Sequence, residues 1–259
     1  MTVPSVAVRH LGGAEGLPVL VLGPSLGTST ILWESAAPFL ADSFRLLAWD
    51  LPGHGASQPA TDLFEVADLA DAVAEAVDVP SFFYAGVSLG GATGLALLLR
   101  HPARVRAAAI LASGAQLGDP DAWHDRAAQV RAESTSSVII GSAQRWFAAD
   151  SMARHPDLSG RLLHALQNAD DESYALCCEA LARFDLRERL GDVDQPVLAL
   201  WGRHDTVAPE SKADEVAAAV RHGSVDVIEG AAHLPPAEQP EATAAALRDF
   251  FTRLERTSP

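Results

Sequence analysis

The sequence is short of positive charge, of cysteine and of long apolar runs. Nineteen Lys and Arg stand against 34 Asp and Glu, a formal net charge of −15 at pH 7. A surplus of that sign repels phosphate backbones and anionic lipid, so neither nucleic acid nor membrane is expected as a partner. It also sets a condition, because an anionic substrate would need a local basic group to overcome the general field. No apolar run is long enough for a membrane span. The first residues, Met1-Thr2-Val3-Pro4-Ser5, lack a basic segment followed by an apolar one, so no secretory signal is expected. The two cysteines, Cys177 and Cys178, are adjacent. Their Cα atoms must lie about 3.8 Å apart, too close for an unstrained disulfide. They read as free thiols on a helix, which suits a reducing cytoplasm. The histidines show no paired ligand spacing, and neither phosphate-binding nor dinucleotide-binding glycine pattern opens a helix after an early strand. Metal and nucleotide cofactors are therefore not expected.

What is present is a sizeable supply of core residues, 48% of the 259, and a pattern that alternates strand and helix. Residues 3–10 alternate apolar and polar like a half-exposed edge strand. Short apolar runs at 18–22, 44–49, 81–85, 107–112, 196–201 and 224–228 read as strands. Helices are expected around Trp33 and Phe39, from Thr61 through Val77, at 91–99, at 210–220 and from Pro240. Such alternation implies a parallel sheet covered on both faces. Between residues 116 and 190 the alternation stops. Asp119-Pro120 supplies an N-cap followed by proline, a good helix start. Three or four helices are expected there, with Trp123, Val138, Ile139, Trp146, Leu162, Leu166, Tyr174 and Leu181 among their apolar positions. The division is thus a core of residues 1–115 and 191–259 carrying a helical cap of residues 116–190.

The stretch that organises the rest is Gly86-Val87-Ser88-Leu89-Gly90, between an aromatic strand and a buried helix. Strand, G-x-S-x-G and helix describe a nucleophile elbow, in which a strained turn lifts a serine hydroxyl clear of the sheet. A serine needs a base to become nucleophilic, and the base needs an acid to orient it. Both follow later strands in the order acid then histidine: Trp201-Gly202-Arg203-His204-Asp205 and Gly230-Ala231-Ala232-His233. Asp205 is the expected acid and His233 the expected base. His204, Asp185 and Asp192 are the rivals, His124 and His222 read as surface residues, and His54 as a brace within its turn. The remaining requirement is an oxyanion hole. The N–H groups of Leu89, after the serine, and of Leu26, in the loop 23–28, are the expected donors.

Taken together these residues resemble the 3-oxoadipate enol-lactonases of the α/β-hydrolase superfamily. The resemblance is carried by Gly23-Pro24-Ser25-Leu26-Gly27-Thr28 with Trp33, by Asp50-Leu51-Pro52-Gly53-His54-Gly55-Ala56-Ser57, and by the elbow. It continues through Trp123, Arg126, Arg145-Trp146-Phe147, Asp185-Leu186-Arg187 and Ala231-Ala232-His233-Leu234 with Glu238-Gln239-Pro240. Pro24 departs from the Asn usual in that family. The resemblance implies an α/β-hydrolase fold, a mostly parallel sheet of seven or eight strands with an inserted helical cap. It also implies a cofactor-free enzyme of bacterial aromatic catabolism that opens a small anionic lactone to 3-oxoadipate. A carboxylesterase or perhydrolase of the same fold is the nearest alternative, and a ligand-sensing protein on a hydrolase fold is one of another class. The substrate's carboxylate would need a basic group. Trp123 and Arg126 share a helix face, so Trp123 is expected to wall the ring, Arg126 to hold the carboxylate and Trp146 to close the other side. Arg131 and Arg145 are the alternates.

Overall fold

A computed structural model describes residues 3–257, so Met1 and Thr2, within the segment read for a secretory signal, lie outside the described residues. The chain runs β1 (Val8–Gly12), β2 (Val19–Gly23), α1 (Ala37–Leu40), β3 (Arg45–Trp49), α2 (Val66–Ala76), β4 (Phe82–Val87), α3 (Leu89–Arg100) and β5 (Val105–Leu111). Five helices follow without a strand: α4 (Pro120–Glu133), α5 (Ile139–Trp146), α6 (Ser151–Arg154), α7 (Pro156–Gln167) and α8 (Asp171–Arg183). The alternation then resumes with β6 (Val197–Gly202), α9 (Glu210–Ala219), β7 (Gly223–Ile228), α10 (Pro235–Glu238) and α11 (Pro240–Thr257).

The seven strands form one sheet in the order β1-β3-β2-β4-β5-β6-β7. Only β1 is antiparallel, pairing Val8 with Trp49 and Arg9 with Ala48 at the edge. The central strands β2, β4 and β6 are buried along their whole length. That is why they read as continuous apolar runs, as strands covered on both faces must. Helix α3 is buried from Leu89 to Leu98 and lies against β4 and β5. Parallel order brings the carboxyl ends of β2, β4, β5, β6 and β7 to one edge, where ligands of open α/β sheets bind.

Some boundaries differ from expectation for identifiable reasons. Helix α2 starts at Val66, because Glu65 and Asp68 form a reciprocal capping box that fixes its first turn. Leu63 is therefore outside the helix and half exposed. The expected helix around Trp33 and Phe39 is a 3₁₀ turn at Thr30–Trp33 followed by the single turn α1, with Phe39 exposed. Between β5 and β6 there are five α-helices where three or four were expected. Ser134 and Asp150 adopt positive φ, 66° and 63°, and Pro156 starts a new helix, so the helical pattern is cut more often than its apolar spacing indicates.

Candidate active site

The loop between β4 and α3 sets Ser88 at φ 56° and ψ −115°, a strained conformation for a residue with a Cβ. Its backbone is held on both sides: the Ser88 N–H donates to the Leu111 carbonyl at 2.9 Å, and the Ser113 hydroxyl donates to the Ser88 carbonyl at 2.8 Å. The flanking glycines are sterically required. A Cβ on Gly86 would lie 2.3 Å from the Gly90 carbonyl oxygen, and one on Gly90 would lie 2.5 Å from that of Pro24. The spacing of the motif thus reports how closely strand, helix and neighbouring loop approach.

Asp205 follows β6 and His233 follows β7, and the two meet. His233 Nδ1 lies 3.0 Å from Asp205 Oδ2, both side chains being almost fully buried. The other carboxylate oxygen of Asp205 accepts the N–H groups of Val207 at 2.8 Å and Ala208 at 3.1 Å. Those bonds fix the carboxylate plane and leave Oδ2 for the imidazole. With Nδ1–H donating to Asp205, Nε2 keeps its lone pair. Ser88 and His233 border one cavity.

Ser25 and Leu26 border the same cavity. Their loop is tightened by Thr28, whose hydroxyl donates to the Ser25 carbonyl at 2.8 Å and accepts the Ser25 N–H at 3.0 Å. Trp33 Nε1 pins the end of β2 through the Gly23 carbonyl at 2.9 Å. The Leu26 N–H has no partner among the described residues, and Leu89, first residue of α3, has no intrahelical acceptor for its own. His54 braces this loop from behind. Its Nδ1 bonds the Pro52 carbonyl at 2.8 Å, while Nε2 accepts the Gly27 N–H at 3.3 Å, so the ring is neutral. Burial lowers its pKa to about 4.

The rest of the cavity comes from the helical insertion: Trp123 and Arg126 on α4, Arg145 and Trp146 on α5, and Tyr174 on α8. Arg126 Nε donates to the Tyr174 hydroxyl and Nη2 to the Ser142 hydroxyl, each at 2.9 Å. Its guanidinium also stands over the rings of Tyr174 and Trp123, at 5.7 and 6.0 Å. Among the described residues neither Arg126 nor Arg145 pairs with a carboxylate. Burial and the neighbouring Arg126 lower the pKa of Arg145. Arg131, by contrast, does not border this cavity and is engaged by Glu172, at 2.7 and 2.8 Å, and by Glu179.

The rivals lie elsewhere. Asp185 is exposed and paired with Arg187, and Asp192 is exposed and paired with Arg189. His204, His124 and His222 are exposed. A roomier groove of about 430 Å³, lined by Ala67, Ala96, Leu99, Arg100, Leu186 and Arg189, brings no nucleophile or general base together. Sequence reasoning counted Tyr174 only as an apolar position and passed over Ser142. Both are small signals, a phenol and a hydroxyl in otherwise apolar helix faces, and they acquire meaning only once Arg126 is seen to bond them.

A family model described as the alpha/beta hydrolase fold matches residues 18–240. The chain is 30% identical to 3-oxoadipate enol-lactonase 2 of Acinetobacter baylyi, over 98% of this chain and 96% of that one. It is 32% identical to a pimeloyl-[acyl-carrier protein] methyl ester esterase of Neisseria meningitidis, over 86% of this chain and 73% of the other. Among solved structures, the enol-lactonase from Burkholderia xenovorans LB400 superposes with a TM-score of 0.89 at 30% identity, covering 95% of this chain and 96% of that one.

Proposed function

The chain belongs to the α/β-hydrolase family, and on that premise we propose that it hydrolyses the enol-lactone of 3-oxoadipate in bacterial aromatic catabolism. In this reading residues 116–190 are the cap, and Ser88, His233 and Asp205 are the nucleophile, base and orienting acid. The Ser88 hydroxyl attacks the lactone carbonyl while His233 Nε2 takes its proton. The tetrahedral oxyanion is held by the N–H groups of Leu26 and Leu89, each donor contributing about 10²–10³ in kcat. Collapse breaks the ring C–O bond, and the imidazolium returns the proton to the departing enolate oxygen. That enol stays tethered to the acyl-enzyme and tautomerises to the ketone, which draws ring opening forward. Water, deprotonated by His233, then attacks the acyl carbon and releases Ser88 and 3-oxoadipate.

The single observation that carries the substrate is the pair Arg126 and Arg145. Two guanidiniums on the cavity of Ser88 and His233, without a carboxylate partner among the described residues, favour a bound anion in a chain of net charge −15. Tyr174 and Ser142 hold two edges of Arg126 and leave Nη1 for the substrate's carboxylate, while Trp123 and Trp146 flank the ring. No cofactor enters any step. Cys177 and Cys178 are free thiols, in keeping with the cytoplasm as the place of action.

The similarity to a methyl ester esterase favours, as a second reading, a carboxylesterase for an open-chain ester. Initial rates separate the two. Freshly generated enol-lactone should be turned over with a kcat/KM at least about 100-fold above that of a neutral aryl ester of similar size. The reverse preference would give the esterase reading its place.

A further inference from the structure

One buried carboxylate beside the catalytic loop is not used by this mechanism. Glu238, at the end of α10, is 1% exposed, and no cation pairs with it among the described residues. Its two oxygens face different parts of the fold. Oε1 accepts the N–H of Ala148 at 2.6 Å, two residues beyond Trp146 in the helical insertion. Oε2 accepts the N–H groups of Ala232 at 2.8 Å and Leu234 at 3.3 Å, on either side of His233. Between these bonds the His233 N–H itself donates to the Trp146 carbonyl at 3.2 Å. A strip carrying Arg145 and Trp146 is therefore laced to the strip carrying His233; Glu238 supplies three of these four bonds and is bonded by the Ser151 hydroxyl as well.

Burying a charge without a counter-ion is unfavourable, so the position calls for a chemical reason. Acceptor geometry provides one. A carboxylate has two oxygens and can take N–H donors from two sides, whereas a glutamine has one oxygen and an NH₂ that would face a donor. A carboxylate can accept N–H groups from both strips at once, which a glutamine cannot.

We propose that Glu238 is a positioning residue that sets His233 against the insertion's pocket wall, so that base and substrate-contacting residues move as one unit. This inference rests on the reading of His233 as the base. It implies that Glu238 acts on kcat through the placement of His233, and does not merely hold α10 in place.

The test compares Glu238→Gln, Ala148→Pro and wild type. Ala148→Pro removes the insertion's N–H and leaves Glu238 intact, and Phe147 already has the extended conformation favoured before proline, φ −117° and ψ 136°. Three quantities are measured: kcat and KM on the lactone, the rate of Ser88 labelling by a serine-reactive phosphonate, and the thermal midpoint. Glu238→Gln should lower kcat about 10- to 100-fold and slow labelling by a similar factor, with KM changing less than about threefold. Ala148→Pro should lower both rates about 3- to 10-fold. If either folded variant lost thermal stability but kept wild-type kcat and labelling rate, the proposal would be overturned. Should Glu238→Gln fail to fold, Ala148→Pro decides alone. Labelling does not depend on the natural substrate, so a wild type that labels at Ser88 but ignores the lactone would sink the enol-lactonase reading and leave this one standing. A wild type that does not label would remove the premise of both.

Discussion

The two walls of the cavity are built on different principles. The wall from the sheet places Ser88, Asp205 and His233 at the ends of β4, β6 and β7. Ser88 and Asp205 are fixed by hydrogen bonds to neighbouring strands and loops, and the His233 backbone by its N–H to the Trp146 carbonyl of the insertion. The wall from the insertion places Trp123, Arg126, Arg145, Trp146 and Tyr174 on three separate helices, and holds Arg126 by side chains alone. Backbone-fixed groups tolerate only one geometry, which suits bond-making steps. Side-chain-fixed groups can be exchanged without refolding the chain, which suits the reading of one substrate among many. Replacing the substrate-facing side chains of the insertion should therefore change selectivity without changing the chemistry, whereas the backbone bonds that join Trp146 and Ala148 to the His233 segment couple the two walls.

The largest effect expected is on the sheet wall. Ser88→Ala should lower kcat by about 10⁴ to 10⁶, because members of such a unit act together, while leaving the fold intact. A variant retaining a tenth of wild-type turnover would remove the assignment of the nucleophile. Next comes Asp205→Asn, which should cost about 10³- to 10⁴-fold in kcat by disturbing the His233 tautomer. His204→Ala and Asp185→Asn, both at exposed positions, should stay near wild type. Greater damage from Asp185→Asn would move the acid to the other site.

Much of the sheet wall was legible in the sequence because its signals are local. The elbow is written in five consecutive residues, and Asp205 and His233 each follow an apolar run directly. The insertion wall was legible only in outline. Its members are joined by contacts such as Arg126 to Tyr174, 48 residues apart, and Arg126 to Ser142, 16 apart, which no periodicity encodes. Trp123, Arg126 and Trp146 were singled out by helix-face spacing and by the family resemblance, and all three border the cavity. Setting Arg131 aside as an alternate to Arg126, while keeping Arg145, was beyond that reasoning. Arg131 is excluded by Glu172 and Glu179, which approach it from α8, a helix whose packing against α4 is tertiary information. The start at Asp119-Pro120 was legible, but the number of helices in the insertion was not, since Ser134 and Asp150 take positive φ without a glycine to announce it.

Where the two walls touch, His54 offers a test by pH. Its ring braces the Gly27 N–H of the sheet loop and stacks on Tyr174 of the insertion, with centroids 6.1 Å apart. Its pKa falls from 6.5 to about 4 on folding, chiefly through burial. Because the folded value is the lower one, the unfolded chain binds the proton first as pH falls. The contribution is complete above pH 6.5 and is lost progressively towards pH 4, by about 3 kcal/mol at roughly 1.4 kcal/mol per pKa unit. Urea midpoints of wild type and His54→Gln between pH 4 and 8 should show the steeper loss in wild type over that window. Parallel curves would mean that His54 is not the group responsible.

The smallest effect should come from Arg131→Ala. Arg131 and Glu172 are well exposed and Glu179 only partly so, and loss of these surface ion pairs should cost about 1 kcal/mol or less. KM for the lactone should change less than about twofold. A tenfold rise would show that charge is read from outside the cavity.

The claim that the insertion wall reads a carboxylate is tested most directly by one ratio: kcat/KM for the lactone acid over that for its side-arm methyl ester. Wild type should prefer the acid. In Arg126→Met/Arg145→Met that preference should fall by about 100-fold or more, since each charged hydrogen bond contributes about 1.5–3 kcal/mol. Turnover of the methyl ester should stay within about threefold of wild type. An unchanged ratio in the folded double variant, or equal losses on both substrates, would contradict the separation of the two walls.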